Sequence, residues 1–448
     1  MEQQLWQIRD TILQSLAEGD TAKAVSLLSS LYPADQADIF SELDLKTQQE
    51  LLAQLPLPDS ADILEELEDE EAAELASRLD VSTLAPILDE MAPDEAADLL
   101  GDLLPEQVTE ALTQMEDPDE VRPLLLHPDE TAGGLMTSQF VALRRRMTAA
   151  EALAVVRRWA PEAETAHYLF VVDHDGHLCG VVSLLYLIKA PPTRWVSEIM
   201  DPNVIHVRTD ADQEECARLM ARYDIMALPV VDEADRLVGV ITVDDLVEVL
   251  EDEATEDIQR WGGAQPLDRP YLDSSVAQLA WKRLGWLLLL FVAETFTGGV
   301  LRHFQRELDT VVVLAFFVPL LIGTGGNAGS QTTSTIIRAL AVEEIGLRDT
   351  LLVFWHEVRA GVVLGLMLAV VTFVWVLTWG IGMPLALAVA VTILTIVVWA
   401  NSLGSLLPLI AARLHIDPTA VSGPVMSTLV DATGLFIYFT IAKLILRI

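Results

Sequence analysis

Cysteine and cationic side chains are what this sequence has least of. Only Cys179 and Cys216 occur, with no CxxC spacing, which removes a disulfide framework and a thiolate zinc site. Lys and Arg number 28 against 67 Asp and Glu, a net charge of −39. Phosphate backbones are gripped through Lys and Arg, so nucleic acid is excluded as a partner. A cationic partner suits the chain, because unscreened acids repel and loosen a compact state. Two enzyme signatures are also missing. The glycine-rich "GTGGNAGSQ" at 323–331 has no Lys before its Ser and is no phosphate-binding loop. "HEVRA" from His356 lacks the second His of an HExxH zinc site. The opening "MEQQLWQIRD" has neither the basic region nor the apolar core of a signal peptide, so the acidic part is expected in the cytosol.

What is present is unevenly spread. Residues 1–130 hold 33 Asp and Glu against 5 Lys and Arg, residues 131–280 hold 25 against 13, and residues 281–448 hold 9 against 10. An acidic soluble part therefore precedes a nearly neutral, apolar one. Apolar runs near 284–304, 310–340, 358–380, 384–411 and 424–445 each reach the roughly 20 residues that a spanning helix needs. With the N-terminal part inside, Lys282, Arg283, Arg338, Arg348, Arg359 and Arg413 fall on the cytosolic side. Arg302, Arg306, Lys443 and Arg447 fall outside, a weak positive-inside bias.

Few polar residues interrupt these spans: Glu294, the Asn327–Thr335 patch, Asn401, Ser402 and Asp431. Asp431 lies about 10 Å into its span at 1.5 Å per residue, with no Lys or Arg within two turns in the same span. A carboxylate there is costly unless it pairs or meets water, so it is expected to line an aqueous cation path. Gly323, Gly325, Gly326 and Gly329 let helices approach closely or break. Asn327, Ser330, Gln331 and Thr332 offer oxygens beside them. The expected ion path comprises Asp431, Thr428, Asn327, Gly325 and Gly326.

Residues 131–254 contain a repeat. "LMTSQFVALRRRMTAAEAL" corresponds to "IMDPNVIHVRTDADQEECARLM", and "FVVDHDGHLCGVVSLLYLI" to "PVVDEADRLVGVITVDDLV". Each copy reads as strand, helix, strand, turn, strand and helix. The pair resembles tandem cystathionine-β-synthase (CBS) modules, at 131–190 and 197–254. The second has Gly239, Thr242 and Asp245 in the G-x-x-T-x-x-D pattern. The first keeps Gly180 and Ser183 but has Tyr186 in place of the acid. Residues 1–130 alternate prolines with helical Leu, Ile and Ala spacing, which predicts eight to ten short helices packed as a superhelix. Asp94 and Asp98 share one helix face, and Asp245, Glu248, Asp252 and Glu256 read as an acidic stripe with no basic residue on it. Oxygen-rich clusters of this kind suit Mg²⁺ or Ca²⁺ rather than zinc.

The whole order resembles the MgtE family of magnesium channels, as do "ETAGGLMT", "PLLIGTGGNAGSQ", "DPTAVSGPVMSTLVDATG" and "VDDLVEVLEDEATEDI". The expected architecture is multi-domain. An all-α superhelical N domain spans 1–130, the α+β tandem CBS pair 131–254, a connecting helix 255–283 and an all-α domain of five transmembrane helices 284–448. The resemblance implies a Mg²⁺-selective homodimer in the plasma membrane, residues 1–283 cytosolic, closed when cytosolic Mg²⁺ bridges the soluble domains to the connecting helix. No catalysis is implied. It assigns the pore carboxylate to Asp431 and a broken helix to Gly325, Gly326 and Asn327. Mg²⁺-sensing acids carry over to Asp62, Asp94, Asp98, Glu214, Asp224, Asp245, Glu248, Glu253, Glu256 and Asp257. The departures are Gly423 where some relatives have Asn, Gln305 where a Glu is usual, and Leu185 and Tyr186 at positions whose polar residues would favour ATP. ATP binding is therefore expected to be weak or absent. Glu294 is unexpected, and the resemblance assigns it no role. Two other classes fit the layout: a transporter coupling divalent cations to protons or sodium through Glu294, and a CBS-containing receptor without permeation.

Overall fold

A computed structural model describes residues 2–159, 168–267, 271, 272, 274–342, 344–420 and 423–448. Two compact units divide at Glu253 and Ala254.

The first unit begins with ten short helices: α1 (Glu2–Ala17), α2 (Thr21–Leu28), α3 (Pro33–Ser41), α4 (Leu45–Leu52), α5 (Leu57–Glu65), α6 (Asp69–Ala76), α7 (Val81–Leu88), α8 (Pro93–Gly101), α9 (Pro105–Gln114) and α10 (Pro118–Val121). Proline stands in the first turn of α3, α5, α8, α9 and α10, where a missing N–H leaves no bond unmade. Asp44 caps α4 by accepting from the backbone N–H groups of Lys46 and Thr47. Alternate helices stack, α3 on α5, α5 on α7 and α7 on α9 in one row, α4 on α6 and α6 on α8 in the other. This is the superhelix that the proline spacing predicts. Its core, with Phe40, Ile63, Leu75 and Leu100 fully enclosed, continues without a break into Met136 of the first repeat and Val207, Leu228, Ile241 and Leu246 of the second.

The repeat forms two three-stranded sheets. The first contains β1 (Ala142–Arg144), β2 (Tyr168–Val172) and β3 (Leu178–Ser183), with α11 (Ala149–Trp159) between β1 and β2 and α12 (Leu184–Lys189) after β3. After α13 (Val196–Ile199), the second contains β4 (Val207–Arg208), α14 (Gln213–Tyr223), β5 (Ala227–Val231), β6 (Leu237–Thr242) and α15 (Val243–Trp261). In each, the first strand pairs parallel and the third antiparallel with the middle one. The two copies exchange their leading segments. Thr137 of the first bridges Val240 of the second, and Asp201 of the second bridges Val181 of the first. That exchange explains the paired glycines. A Cβ on Gly239 would sit 2.4 Å from Met136 Sδ, and one on Gly180 would sit 2.7 Å from Met200 Sδ.

The second unit holds five helices long and apolar enough to cross a membrane. They are α16 (Val276–His303), then, after α17 (Gln305–Thr310) and a 3₁₀ stretch Val312–Phe317, α18 (Val318–Ala341), α19 (Thr350–Thr378), α20 (Met383–Arg413) and α21 (Gly423–Leu446). A capping box between Ser275 and Gln278 starts α16. Here α18 packs on α20 and α21, α19 on α20, and α16 on α21.

Two expectations need correction. The helix carrying Gly325, Gly326 and Asn327 is not broken: α18 is continuous, and its glycines serve close approach. A Cβ on Gly325 would meet Ile396 Cγ2 at 2.5 Å and Val430 Cγ1 at 2.7 Å. Nor is 255–283 one connecting helix. α15 ends at Trp261 and α16 starts only at Val276. Gly263, at φ +75°, turns the chain where a side chain would strike Trp286.

Candidate functional site

In the second unit, α21 presents Met426, Ser427 and Val430 to the glycine side of α18. Asp431 follows Val430, eight residues from Gly423 at the start of the helix. Its Oδ1 is buried and, among the described residues, accepts no hydrogen bond. Thr428, one turn earlier, donates to the Pro424 carbonyl at 3.0 Å. Gly325 and Gly326 are buried against α21, whereas Asn327 is exposed on the other side of α18 and no hydrogen bond joins it to Asp431. Gly423 stands beside Trp261, the last residue of α15, and its carbonyl accepts from Ser330 Oγ at 3.4 Å.

A carboxylate not foreseen as intramembrane lies on α19. Glu357 accepts from Thr332 Oγ1 at 3.3 Å and Asn401 Nδ2 at 3.2 Å, so one acid ties α18, α19 and α20 together. It lines a cavity of about 620 Å³ with Arg338, Glu344 and His356. The apolar run begins at residue 358, eight positions after the start of its helix. Starting the helix at Thr350 brings Glu357 inside.

In the first unit, the core shared by the helical stack and the second repeat brings acids from distant elements together. Burial, then Asp94, Glu248, Asp98 and Glu65, push Glu95 up to about 9. Burial, then Asp129, Asp94, Asp69 and Asp102, push Asp98 up to about 8. Glu248 is raised by burial and by Asp252, Asp69, Asp245 and Glu66, and Asp69 by burial and by Asp252 and Asp129. Among the described residues, every charged neighbour named as perturbing these four acids is itself an acid. Of the expected residues, Asp94, Asp98, Asp245 and Glu248 thus meet here. Asp252 of the acidic stripe joins them, and so do Asp69, Glu95 and Asp129, which were not singled out from sequence.

The other expected sensor acids lie elsewhere. Asp62 on α5 is raised by burial and by Asp59 and Glu90, a separate group. Glu253 accepts from Gln213 Nε2 at 2.6 Å. Glu214 sits in the first turn of α14, and Asp224 is that helix's left-handed C-terminal cap at φ 52°. Asp245 Oδ2 accepts from Thr242 N at 3.0 Å and Thr242 Oγ1 at 2.8 Å, so the repeat motif also fixes the start of α15. Glu256 and Asp257 belong to the second unit. Glu256 is ion-paired with Arg260, which also holds Asp417 at 3.0 Å. The stripe on α15 is therefore not free of basic residues, because the helix runs one turn further than the acidic phrase.

The cluster around Asp98 and Glu248 offers only oxygen donors, crowded and half-buried. Such a set fits a hard cation such as Mg²⁺ or Ca²⁺ and not a soft one. A tighter group, Asp173, Asp175 and His177, has the spacing of a metal site. There Asp173 already accepts from the backbone N–H of Asp175 and His177, and the group works as a turn.

Residues 318–441 match the divalent cation transporter family MgtE, residues 31–130 its intracellular N domain, and 132–192 and 196–252 the CBS domain. The magnesium transporter MgtE of Thermus thermophilus is 48% identical over 329 residues, 73% of each chain. That of Enterococcus faecalis is 34% identical over 332 residues, 74% of this chain and 73% of the relative. A crystal structure of the cytosolic domain of the Mg²⁺ channel MgtE in complex with ATP superposes with a TM-score of 0.51 and 42% identity, covering 54% of this chain and 99% of that one. With the N domain, the CBS pair and the membrane domain all matched in order, the chain belongs to the MgtE family of divalent cation transporters and is not an enzyme.

Proposed function

We propose that the chain is a Mg²⁺-selective channel, a homodimer of the cell membrane with residues 1–283 in the cytosol, closed by cytosolic Mg²⁺. The observation that carries the transport reading is Asp431, an acid in an apolar helix whose buried oxygen has no hydrogen-bond partner among the described residues. Mg²⁺ dehydrates reluctantly, so a path that passes it should meet the hydrated ion with few carboxylates. Two chains about a twofold axis supply a matched pair of Asp431 side chains.

The Asp98–Glu248 cluster supports the gating reading. A cation there replaces protons and relieves like-charge repulsion. Binding that favours the closed form stabilises it by about 2.7 kcal/mol per site at a hundred times Kd. Several such sites outweigh an open–closed gap of a few kcal/mol. One helix, α15, begins among these acids and ends at Arg260 and Trp261, beside Asp417 and the start of α21. For ATP, the exposed Leu185 and Tyr186 of α12 supply no carboxylate where the motif has its acid, and weak or absent binding is proposed.

The deciding experiment is Mg²⁺ flux into liposomes containing only this protein. Flux that follows the Mg²⁺ gradient, independent of pH and sodium and lost in Asp431→Asn, supports the channel. Dependence on a proton or sodium gradient identifies a coupled transporter, and no flux identifies a receptor. Either result overturns the channel reading.

A further inference from the structure

Glu294 lies on α16, nine residues before His303, about 13 Å from that end at 1.5 Å per residue. Around it Leu287, Phe291, Val292 and Phe296 are exposed apolar side chains. Among the described residues no hydrogen bond or ion pair reaches its carboxylate. An acid at that depth needs a partner, water or an ion.

Two neighbouring oxygens share this condition. Thr297, three residues on and so on the same side of the helix, is only 8% exposed, and its Oγ1 has no hydrogen-bond partner among the described residues. That is unusual in this molecule. Most other threonines in the spans return their hydroxyls to the preceding turn, as Thr295 does to the Val292 carbonyl at 2.6 Å, Thr392 to Ala388 at 2.7 Å and Thr440 to Phe436 at 2.7 Å. The second oxygen is Asp431 Oδ1 on α21, the helix against which α16 packs. Among the described residues, Glu294 is the charged side chain whose field reaches Asp431.

We propose that Glu294 and Thr297 line the cation path with Asp431 and make it selective for divalent over monovalent cations. The inference rests on the reading of Asp431 as a path residue. Two carboxylates repel when nothing lies between them, and a doubly charged ion relieves that repulsion more than a singly charged one. The Thr297 hydroxyl, not tied to its own helix, is free to bond water of the hydrated ion.

The test compares Asp431→Asn, Glu294→Gln, Glu294→Asp and Thr297→Val in proteoliposomes, reading half-saturating Mg²⁺ and the Mg²⁺-to-Na⁺ flux ratio. Glu294→Gln should raise half-saturation and lower the flux ratio, each by about tenfold, with Glu294→Asp largely restoring both. Thr297→Val should shift both in the same direction by about threefold. A structural role would change yield but not the flux ratio. Wild-type half-saturation and flux ratio in Glu294→Gln, alongside lost flux in Asp431→Asn, would overturn the inference and leave the path intact. Retained flux in Asp431→Asn would remove the path reading itself and this inference with it. Glu294→Cys in a chain with Cys179 and Cys216 replaced by Ser gives a second readout. A water-soluble cationic thiol reagent should modify it, more slowly in Mg²⁺, and absence of modification would overturn the proposal.

Discussion

In the first unit Asp69, Asp94, Glu95, Asp98, Asp129, Glu248 and Asp252 crowd into a half-buried region, whereas α21 of the second unit carries a single carboxylate among apolar residues. The contrast separates two tasks that one ion can serve. Many acids held together by a shared hydrophobic core repel one another, and a bound ion would relieve that repulsion. That arrangement suits retention and a change of shape. One acid with few partners holds an ion weakly enough to let it leave, as transit requires. A site built for tight binding would block a pore, and a lone carboxylate would make a poor sensor.

The largest effect that breaks this comparison is expected at Asp431. Asp431→Asn keeps the side chain's size and removes its charge, and Mg²⁺ uptake should fall by about a hundredfold, equivalent to ~3 kcal/mol. Near-normal uptake, measured in liposomes, would mean that the membrane acid is not what the ion meets. Next is the cluster. Replacing Asp98, Glu248 and Asp252 together by Ala should leave uptake intact but abolish its shut-off by millimolar Mg²⁺. Persistence of shut-off, measured as flux against Mg²⁺ on the soluble-domain side, would place the sensor elsewhere.

Proton linkage sharpens the comparison further. Glu95 and Asp98 hold their protons in the folded chain up to about 9 and about 8, well above ordinary carboxylates, because of burial and neighbouring acids. Between the ordinary range and those values the folded form binds protons that the unfolded form has released, so stability falls as pH rises. Without Mg²⁺, the melting temperature of the soluble part should drop from pH 5 to pH 9, and saturating Mg²⁺ should flatten the profile. A metal-free profile that is flat or rises with pH would contradict the buried cluster. The smallest effect is expected with ATP. Calorimetry on the full chain should detect little or no heat, and micromolar affinity would show that Leu185 and Tyr186 do not weaken the site.

What the sequence disclosed depended on how local the signal was. The repeat, the proline-spaced helices and the apolar runs are periodic patterns and led directly to the stack, the paired sheets and the spans. Asp431 was legible because an acid inside an apolar run stands out. Glu95, Asp69 and Asp129 were not, because each looks like an ordinary surface acid until the common core of helical stack and second repeat brings them against α15. Glu357 was hidden by an apolar run that starts later than its helix. Arg260 was missed because α15 outlasts the acidic phrase by a turn. The unbroken α18 shows the limit of reading glycines. Close packing and helix breaking call for the same residue, and only Ile396 and Val430 at 2.5 and 2.7 Å from a would-be Cβ on Gly325 separate the two.

The most direct measurement is Mg²⁺ flux through the purified full chain while Mg²⁺ is titrated on the soluble-domain side, with NaCl of matched ionic strength as control. Steep closure by millimolar Mg²⁺, absent with NaCl and lost when Asp98 and Glu248 are replaced by Ala, is the expected result. Equal closure by NaCl, or unchanged closure in that variant, would show that the acids are only a screened surface and would contradict gating by Mg²⁺ bound among them.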